Sequence, residues 1–283
     1  MKNVTKILTA VTLCAALFAS GQRIGSLGGN PALWPGDEAN IMDFPGSIND
    51  HTLVQVSGVG DECNASGTSC TEGSENATIL FDKDGTAWGF SYNNQGSDWF
   101  NIMWGNGDMG LRIGMVSSED GEKNAAGVAQ SVEEASGFNV GWGKTFDWGD
   151  VGVAYRTSDN TEDKNANGTS LVATGGWKFD GTELDFNWRG DMGFWVFDGM
   201  TASFNTETVD YADHTGTNCD DDGTAVACED WDDTTIEFTV FTHMDASGAD
   251  VLFAMGLENY SKSYSGVAAP NATADEGHMH LNS

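Results

Sequence analysis

The sequence predicts an all-β protein, a transmembrane up-and-down antiparallel β-barrel, and three observations support this fold class. Apolar and polar residues alternate with a period of two in segments such as 136–146 and 182–189, so each strand has one apolar face. Short turns alternate with long acidic connections, as in outer-membrane barrels, where the two kinds lie at opposite ends. Aromatic residues recur at predicted strand ends, as in an interfacial girdle: Trp88, Trp99, Trp148 and Trp195.

Hairpin turns are predicted where residues tolerate a positive φ: Asp84-Gly85, Asp147-Trp148-Gly149, Asp180-Gly181 and Asp198-Gly199. The segment 191–209 is divided at the last of these, because only then do short and long connections alternate throughout. The predicted strands are 51–58, 77–83, 86–93, 98–104, 109–117, 136–146, 150–158, 169–179, 182–190, 192–197, 200–209, 234–243 and 249–260. Most are near the nine to eleven residues of a tilted spanning strand.

This count gives 13 strands, whereas single-chain bacterial barrels have an even number. The polar stretch 261–283 is predicted to begin a further external loop. Either the count is wrong by one, or the full protein has 14 or more strands and the chain is truncated at its C-terminus. We favour truncation as the expectation. The first strand then leaves the periplasm, and the long acidic loops lie outside the cell.

The N-terminus divides into two predicted parts before the barrel at 51–283. Residues 1–20 resemble a secretory signal peptide, with basic Lys2 and Lys6 ahead of the apolar run Ile7 to Ala19, which is too short to span a bilayer. Residues 21–50 hold most of the prolines and show no alternation, so they are predicted to form a compact, plug-like segment. The expected location is therefore the outer membrane of a bacterial cell.

The charge balance excludes one class of partner. The chain carries 43 acidic and 12 basic residues, a formal net charge of −31, which argues against nucleic acid and suits cations. Apart from Cys14, the cysteines form two local pairs in long loops, Cys63 with Cys70 and Cys219 with Cys228. In an oxidising compartment these pairs predict two disulfides; a four-thiolate zinc site lacks the usual Cys-x-x-Cys spacing.

A family resemblance lies in the plug-like segment. A Leu-Gly-Gly run, an acidic Asp-Glu-Ala-Asn step and Phe-Pro-Gly precede the first strand, which resembles the opening of FadL/PorV-type outer-membrane proteins. The matching residues are Gly28, Gly29, Asp37, Glu38, Ala39, Asn40, Phe44, Pro45 and Gly46. The match covers this segment alone, and Phe44 replaces the family's Asn. The resemblance implies a 14-stranded barrel with a plug near its periplasmic mouth, in a family that includes solute transporters and secretion-system barrels.

Two sets of polar residues are candidate sites. Asp163, Asn165 and Asn167 match the first half of a calcium loop, and Asp159 and Glu162 are close in sequence, so calcium is the one candidate ligand ion. Position twelve of such a loop is Thr174, so an EF-hand is excluded, and a polar hairpin loop is the alternative. The second set occupies polar strand faces and is predicted to face the lumen, as a cation-favouring constriction or as a salt-bridge network: Glu183, Asp185, Arg189 and Glu237.

No catalytic constellation is apparent, because no histidine lies beside a serine or an acid at a diagnostic spacing. The predicted function is therefore passive or plug-gated passage of small solutes, and the protein is not expected to be an enzyme. The first alternative is a non-transporting barrel whose acidic, stapled loops bind ions or a surface protein partner. A secreted, acidic β-sandwich is the second alternative, and it would differ by needing no detergent for extraction.

Overall fold

The computed structural model describes residues 30–57, 62–63, 70–71, 76–94, 98–120, 131–164, 177–212, 230–247, 249–265 and 273–282. These residues form an all-β structure dominated by one antiparallel sheet of twelve strands, in the order β1-β4-β5-β6-β7-β8-β9-β10-β11-β12-β13-β14. The strands are β1 Leu53–Ser57, β2 Glu62–Cys63, β3 Cys70–Thr71, β4 Asn76–Lys83, β5 Thr86–Asn94, β6 Asp98–Asn106, β7 Met109–Asp120, β8 Ser131–Phe146, β9 Gly149–Lys164, β10 Trp177–Phe194, β11 Phe197–Ala212, β12 Asp230–Ala246, β13 Ala249–Ser265 and β14 Thr273–Asn282. Strands β2 and β3 pair separately.

Residues 30–50, here called the inner segment, precede β1 and contain three short 3-10 helices: η1 Pro31–Leu33, η2 Glu38–Ile41 and η3 Pro45–Asp50. The first two are capped by side chains, since Asn30 accepts a hydrogen bond from the Ala32 N–H and Asp37 accepts one from the Ala39 N–H. Proline begins η1 and η3, where its missing N–H leaves no donor unpaired. Within the described ranges, no helix has the length and apolar character needed to cross a membrane.

The connections are sorted by length, as the sequence predicts. Five neighbouring pairs of strands, starting with β4–β5 and ending with β12–β13, are joined by two residues, and all five turns lie at the same end of the antiparallel sheet. The remaining connections, at the opposite end, are 58–75, 95–97, 121–130, 165–176, 213–229 and 266–272. We call these the short-turn end and the long-connection end. The predicted turns at Asp84-Gly85 and Asp147-Trp148 are confirmed.

Two other predicted turns are wrong. Asp180-Gly181 lies inside β10 and Asp198-Gly199 lies inside β11, and the turn between these strands is Trp195-Val196. Gly199 does not form a turn but allows close packing, because a Cβ at this position would clash with the ring of Phe241. Strand β10 therefore contains the predicted strand 182–190 together with residues 177–179 of the predicted strand 169–179 and residues 192–194 of the predicted strand 192–197; residues 169–176 lie outside the described part of the chain. Since the number of wrongly predicted turns is even, short and long connections still alternate along the chain as predicted.

The sheet also differs from the predicted strand count and lengths. Its twelve strands include β14, which occupies part of the stretch 261–283 that was expected to be a loop. The predicted 13 strands are therefore wrong, and the odd count no longer supports a missing strand. Strands β8 to β13 have 16 to 18 residues rather than nine to eleven, because polar residues continue the pairing beyond the apolar part. Strands β1 and β14 are the two edges of the sheet, so within the described residues the sheet is not closed into the predicted barrel.

The sheet curls around the inner segment. Leu33 packs with Phe241 of β12 and with β13, whereas Ile41, eight residues later, belongs to a cluster with Ala87 of β5 and Met103 of β6. In a flat sheet, strands at about 4.8 Å spacing would place β6 and β12 roughly 29 Å apart. Eight residues that include a 3-10 helix with a rise of about 2 Å per residue cannot span this distance. The segment therefore occupies the concave face, which we call the inner face.

Candidate functional site

The opposite, outer face is apolar and open. Eight apolar residues are directly paired from strand to strand across eight neighbouring strands of this face. Each side chain is 36–50% exposed: Val54, Ile79, Phe90, Ile102, Ile113, Val140, Tyr155 and Leu184. The predicted apolar residues Phe138, Trp142 and Phe186 are also exposed on this face. A contiguous apolar surface of this extent marks an interface with lipid or protein.

Aromatic residues cluster at the short-turn end of this face. Trp148 and Trp195 lie in two-residue turns and are 57% and 85% exposed, and Trp88 is 39% exposed near the first such turn. The ring of Trp148 stacks on that of Phe146, with centroids 4.8 Å apart. These are three of the four predicted girdle residues; the side chain of Trp99 lies outside the described set.

The inner face contacts the segment through a row of glycines. Gly105, Gly110, Gly143 and Gly152 lie on β6 to β9 and are directly paired from strand to strand. A Cβ at Gly143 would lie 2.7 Å from the backbone nitrogens of both Pro45 and Gly46, and one at Gly110 or Gly152 would overlap a carbonyl oxygen of the segment. Glycine in a strand interior permits such close backbone approach. We call these four residues the glycine row.

Arg189 is the main polar anchor of the inner segment. It extends from β10, and its side chain is 5% exposed. Its Nε and Nη2 donate to Asp150 Oδ2 at 3.0 and 2.6 Å, while its Nη1 donates to Asn40 Oδ1 at 3.0 Å. The guanidinium also lies 4.5 Å from the ring centroid of Phe44. Its Nη1 also donates to the Ala32 carbonyl oxygen at 3.4 Å, so Arg189 joins two strands of the sheet to three residues of the segment.

Apolar clusters hold both flanks of the segment. Leu33 is fully buried against Phe241, Leu252 and Ala254. Ile41 and Ile48, on the other flank, are buried with three sheet residues, Leu80, Ala87 and Met103. His243 supports the first flank, because its Nε2 lies 2.8 Å from the Leu33 carbonyl oxygen and its ring meets that of Trp34 edge-on.

A polar interior lies beyond the segment, toward the long-connection end. A cavity of about 230 Å³ is lined by residues of the segment, including Asp43 and Phe44, and by Asp185, Asn205 and Glu237 of the sheet. A second cavity of about 160 Å³ contains Arg156, which pairs with Glu183 at 2.9 Å, and Glu207. Asn205 donates to both Glu183 and Asp185. The four predicted lumen residues, Glu183, Asp185, Arg189 and Glu237, thus share the inner face.

Asp43 is an exposed carboxyl group of the segment that lines the larger cavity. Desolvation by the surrounding protein raises the pKa of Asp43, and Asp185 adds to the rise, while Arg112 and Arg189 oppose it. Arg112 itself is 3% exposed, and its Nη1 donates to Asn139 at 2.7 Å. The interior therefore holds charges of both signs in a confined space.

The residues that carry the family resemblance have different roles in the structure. Asp37 caps η2, Asn40 donates to the Trp34 and Asp37 carbonyls, and Pro45 and Gly46 meet the glycine row. Glu38 begins η2, whereas Gly28 and Gly29 lie outside the described residues. Asp150, Arg112 and the glycine row were not predicted from the sequence. Glycines at alternate positions of strand interiors, which leave no side chain to pack, were the available signal for the row.

The predicted calcium and disulfide residues are only partly described. Asp163 lies in β9 and not in a loop, Asp159 lies in the same strand, and Asn165 and Asn167 fall outside the described residues. Among the described residues, no group of three or more His, Cys, Asp or Glu residues could hold a metal ion. Backbone pairing places Cys63 directly opposite Cys70, whereas Cys219 and Cys228 lie outside the described part.

Comparisons with known proteins leave the family open. No family model matches the chain, and no curated protein matches it. The resemblance to FadL/PorV-type proteins therefore stays a prediction.

Proposed function

We propose that the protein is an outer-membrane β-barrel whose outer face contacts lipid. The supporting observation is the exposed apolar face opposite a polar inner face. On β8 the outward residues from Phe138 to Phe146 are apolar except for Lys144, and they cover roughly 27 Å of strand at about 3.4 Å per residue, or about 20 Å across a membrane at a tilt near 40°. Barrels of this class have an apolar band about 25 Å tall. Closure of the sheet would remove its edges, as lipid requires.

In this proposal the inner segment is a plug at the short-turn end, which in such barrels faces the periplasm. Leu33, Ile41, Phe44 and Ile48 are each less than 5% exposed. Returning four such side chains to water would cost about 6–12 kcal/mol, offset in part by regained chain entropy. Spontaneous opening is therefore rare, and this favours plug-gated passage of small polar solutes over passive flow.

The acidic groups of the interior support a preference for cations. Glu183, Asp185, Glu207 and Glu237 line the two cavities, whereas the bases there are fewer and already bonded to other groups. A confined interior with excess negative charge raises the local concentration of cations. We therefore expect small cationic or neutral polar solutes to pass most readily once the plug is displaced.

Conductance in planar bilayers tests the proposal. The wild-type protein should conduct little, whereas a variant without residues 30–50 should give cation-selective currents. Folding of both proteins is checked first by heat-modifiable migration on gels. A folded, plug-free variant that stays silent would exclude the pore.

The firm seating of the segment also favours the second candidate, a non-transporting barrel with partner-binding loops. Backbone contact along the glycine row seats the segment closely against β6 to β9. For such a barrel, both the wild type and the plug-free variant would be silent, and a protein or ion would bind to the long-connection end.

A further inference from the structure

The Arg189–Asp150 pair joins two directly paired residues of β10 and β9, and the same guanidinium contacts the inner segment at Asn40 and Phe44. Arg189 is nearly fully buried, and within the described part of the chain Asp150 is the carboxylate paired with it. Removing one member of a buried pair leaves an uncompensated charge, which costs far more than losing a neutral hydrogen bond. Without Asp150 the Arg189 guanidinium would keep Ala32, Asn40 and Phe44 as its partners but would lack a counter-charge.

The pair can also be reached from the short-turn end. A cavity of about 370 Å³ is lined there by Arg189 and Asp150, together with His243, Asp147 and Pro35 of the segment. Aqueous solutes or a periplasmic partner can therefore approach the pair without crossing the inner segment. The apolar clusters lie on both flanks of the segment, and Phe44 faces the Arg189 guanidinium.

We propose that the Arg189–Asp150 pair is the latch that holds the inner segment on the sheet, with Arg189 as its positioning residue. This inference rests on the proposed role of the segment as a plug and names how that plug is regulated. Breaking the pair releases the segment while the sheet stays folded. Access from the short-turn end makes the periplasmic side the side from which the latch opens.

A thiol-labelling experiment tests the latch independently of any pore. The probe is Ser47→Cys in full-length protein whose own cysteines are replaced by serine, because Ser47 lies in η3 of the segment and is only 5% exposed while the segment is seated. The rate of maleimide labelling then reports how often the segment leaves its seat. Asp150→Asn removes the carboxylate and keeps the size of the side chain. Asp147→Asn is the matched control, since Asp147 lines the same cavity but lies in the exposed turn.

Asp150→Asn should raise the labelling rate about 100-fold or more, and Asp147→Asn should leave it within about threefold. Arg189→Lys, which keeps the charge but loses the paired Nε and Nη2 donors to Asp150 Oδ2, should give an intermediate rate. Melting of the sheet, followed by circular dichroism, should change little in all three. A wild-type labelling rate in Asp150→Asn would overturn the latch, as would an increase that appears only when the sheet melts. Fast labelling without conductance would retain the latch and reject the pore.

Discussion

A single methyl group on the glycine row should loosen the inner segment. In Gly143→Ala the new Cβ would lie 2.7 Å from the nitrogens of Pro45 and Gly46 and 2.8 Å from Pro45 Cδ, whereas ordinary contact begins near 3.4 Å. Helix η3 would have to move by about 0.7 Å, and its rigid backbone offers no side chain that could rotate away. Overpacking of this kind costs about 1–3 kcal/mol, which corresponds to a roughly 5- to 150-fold higher population of the released segment.

The assay for Gly143→Ala is the maleimide labelling rate of a Ser47→Cys probe in protein without its native cysteines. The rate should rise by the same 5- to 150-fold. Gly193→Ala is the matched control, because nothing lies within 4 Å of a Cβ at that position and its φ is not positive. Its labelling rate should match that of the parent protein. Equal rates in the two variants would refute the close-contact explanation of the glycine row.

Three further predictions concern other parts of the molecule. Ile113→Arg, on the exposed apolar face, should destabilise vesicle-folded protein by about 2–4 kcal/mol in urea titrations, whereas Thr182→Arg, beyond that band, should cost about 0–1 kcal/mol; equal costs would argue against lipid contact. In the folded protein the pKa of Asp43 is raised above its ordinary value of 3.8. Between pH 3.8 and the raised pKa, the folded protein therefore binds more protons than the unfolded chain. The free energy of unfolding thus falls as pH rises through this range. Asp43→Asn should therefore raise the urea midpoint at pH 7, with a gain that shrinks toward pH 4; a gain independent of pH would assign the effect to packing. Cys63 and Cys70 should appear in one disulfide-linked peptide by mass spectrometry of unreduced protein, since paired antiparallel residues have suitable Cα separations; free thiols at both would contradict this.

Local sequence patterns predicted most strands, because alternation reports directly which face each residue occupies. They failed at Asp180-Gly181 and Asp198-Gly199, where an Asp-Gly step reads as a turn although both glycines lie within strands. At Gly199 the reason is the ring of Phe241, a neighbour more than forty residues away in sequence. The true turn contains Trp195 at φ 57°, a conformation that a bulky residue rarely adopts and that no propensity would suggest.

The sequence predicted which residues lie on the inner face, but it did not predict which contacts they make. Alternation along β10 placed Glu183, Asp185 and Arg189 on one side, which agrees with the structure. The partner of Arg189 depends on the register that brings Asp150 beside it, 39 residues away. Register depends in turn on the turn lengths and on the whole sheet. Pairing between distant residues therefore requires the structure.

The glycine row has a consequence for the order of assembly. Its four members lie on β6, β7, β8 and β9, so the surface that receives residues 43–49 exists only after all four strands have come together. The segment is synthesised first, whereas β9, the last of these four strands, ends only at Lys164. Until the strands that cover them have formed, Phe44 and Ile48 are exposed to water, and a chaperone that binds unfolded chains would find a binding site there.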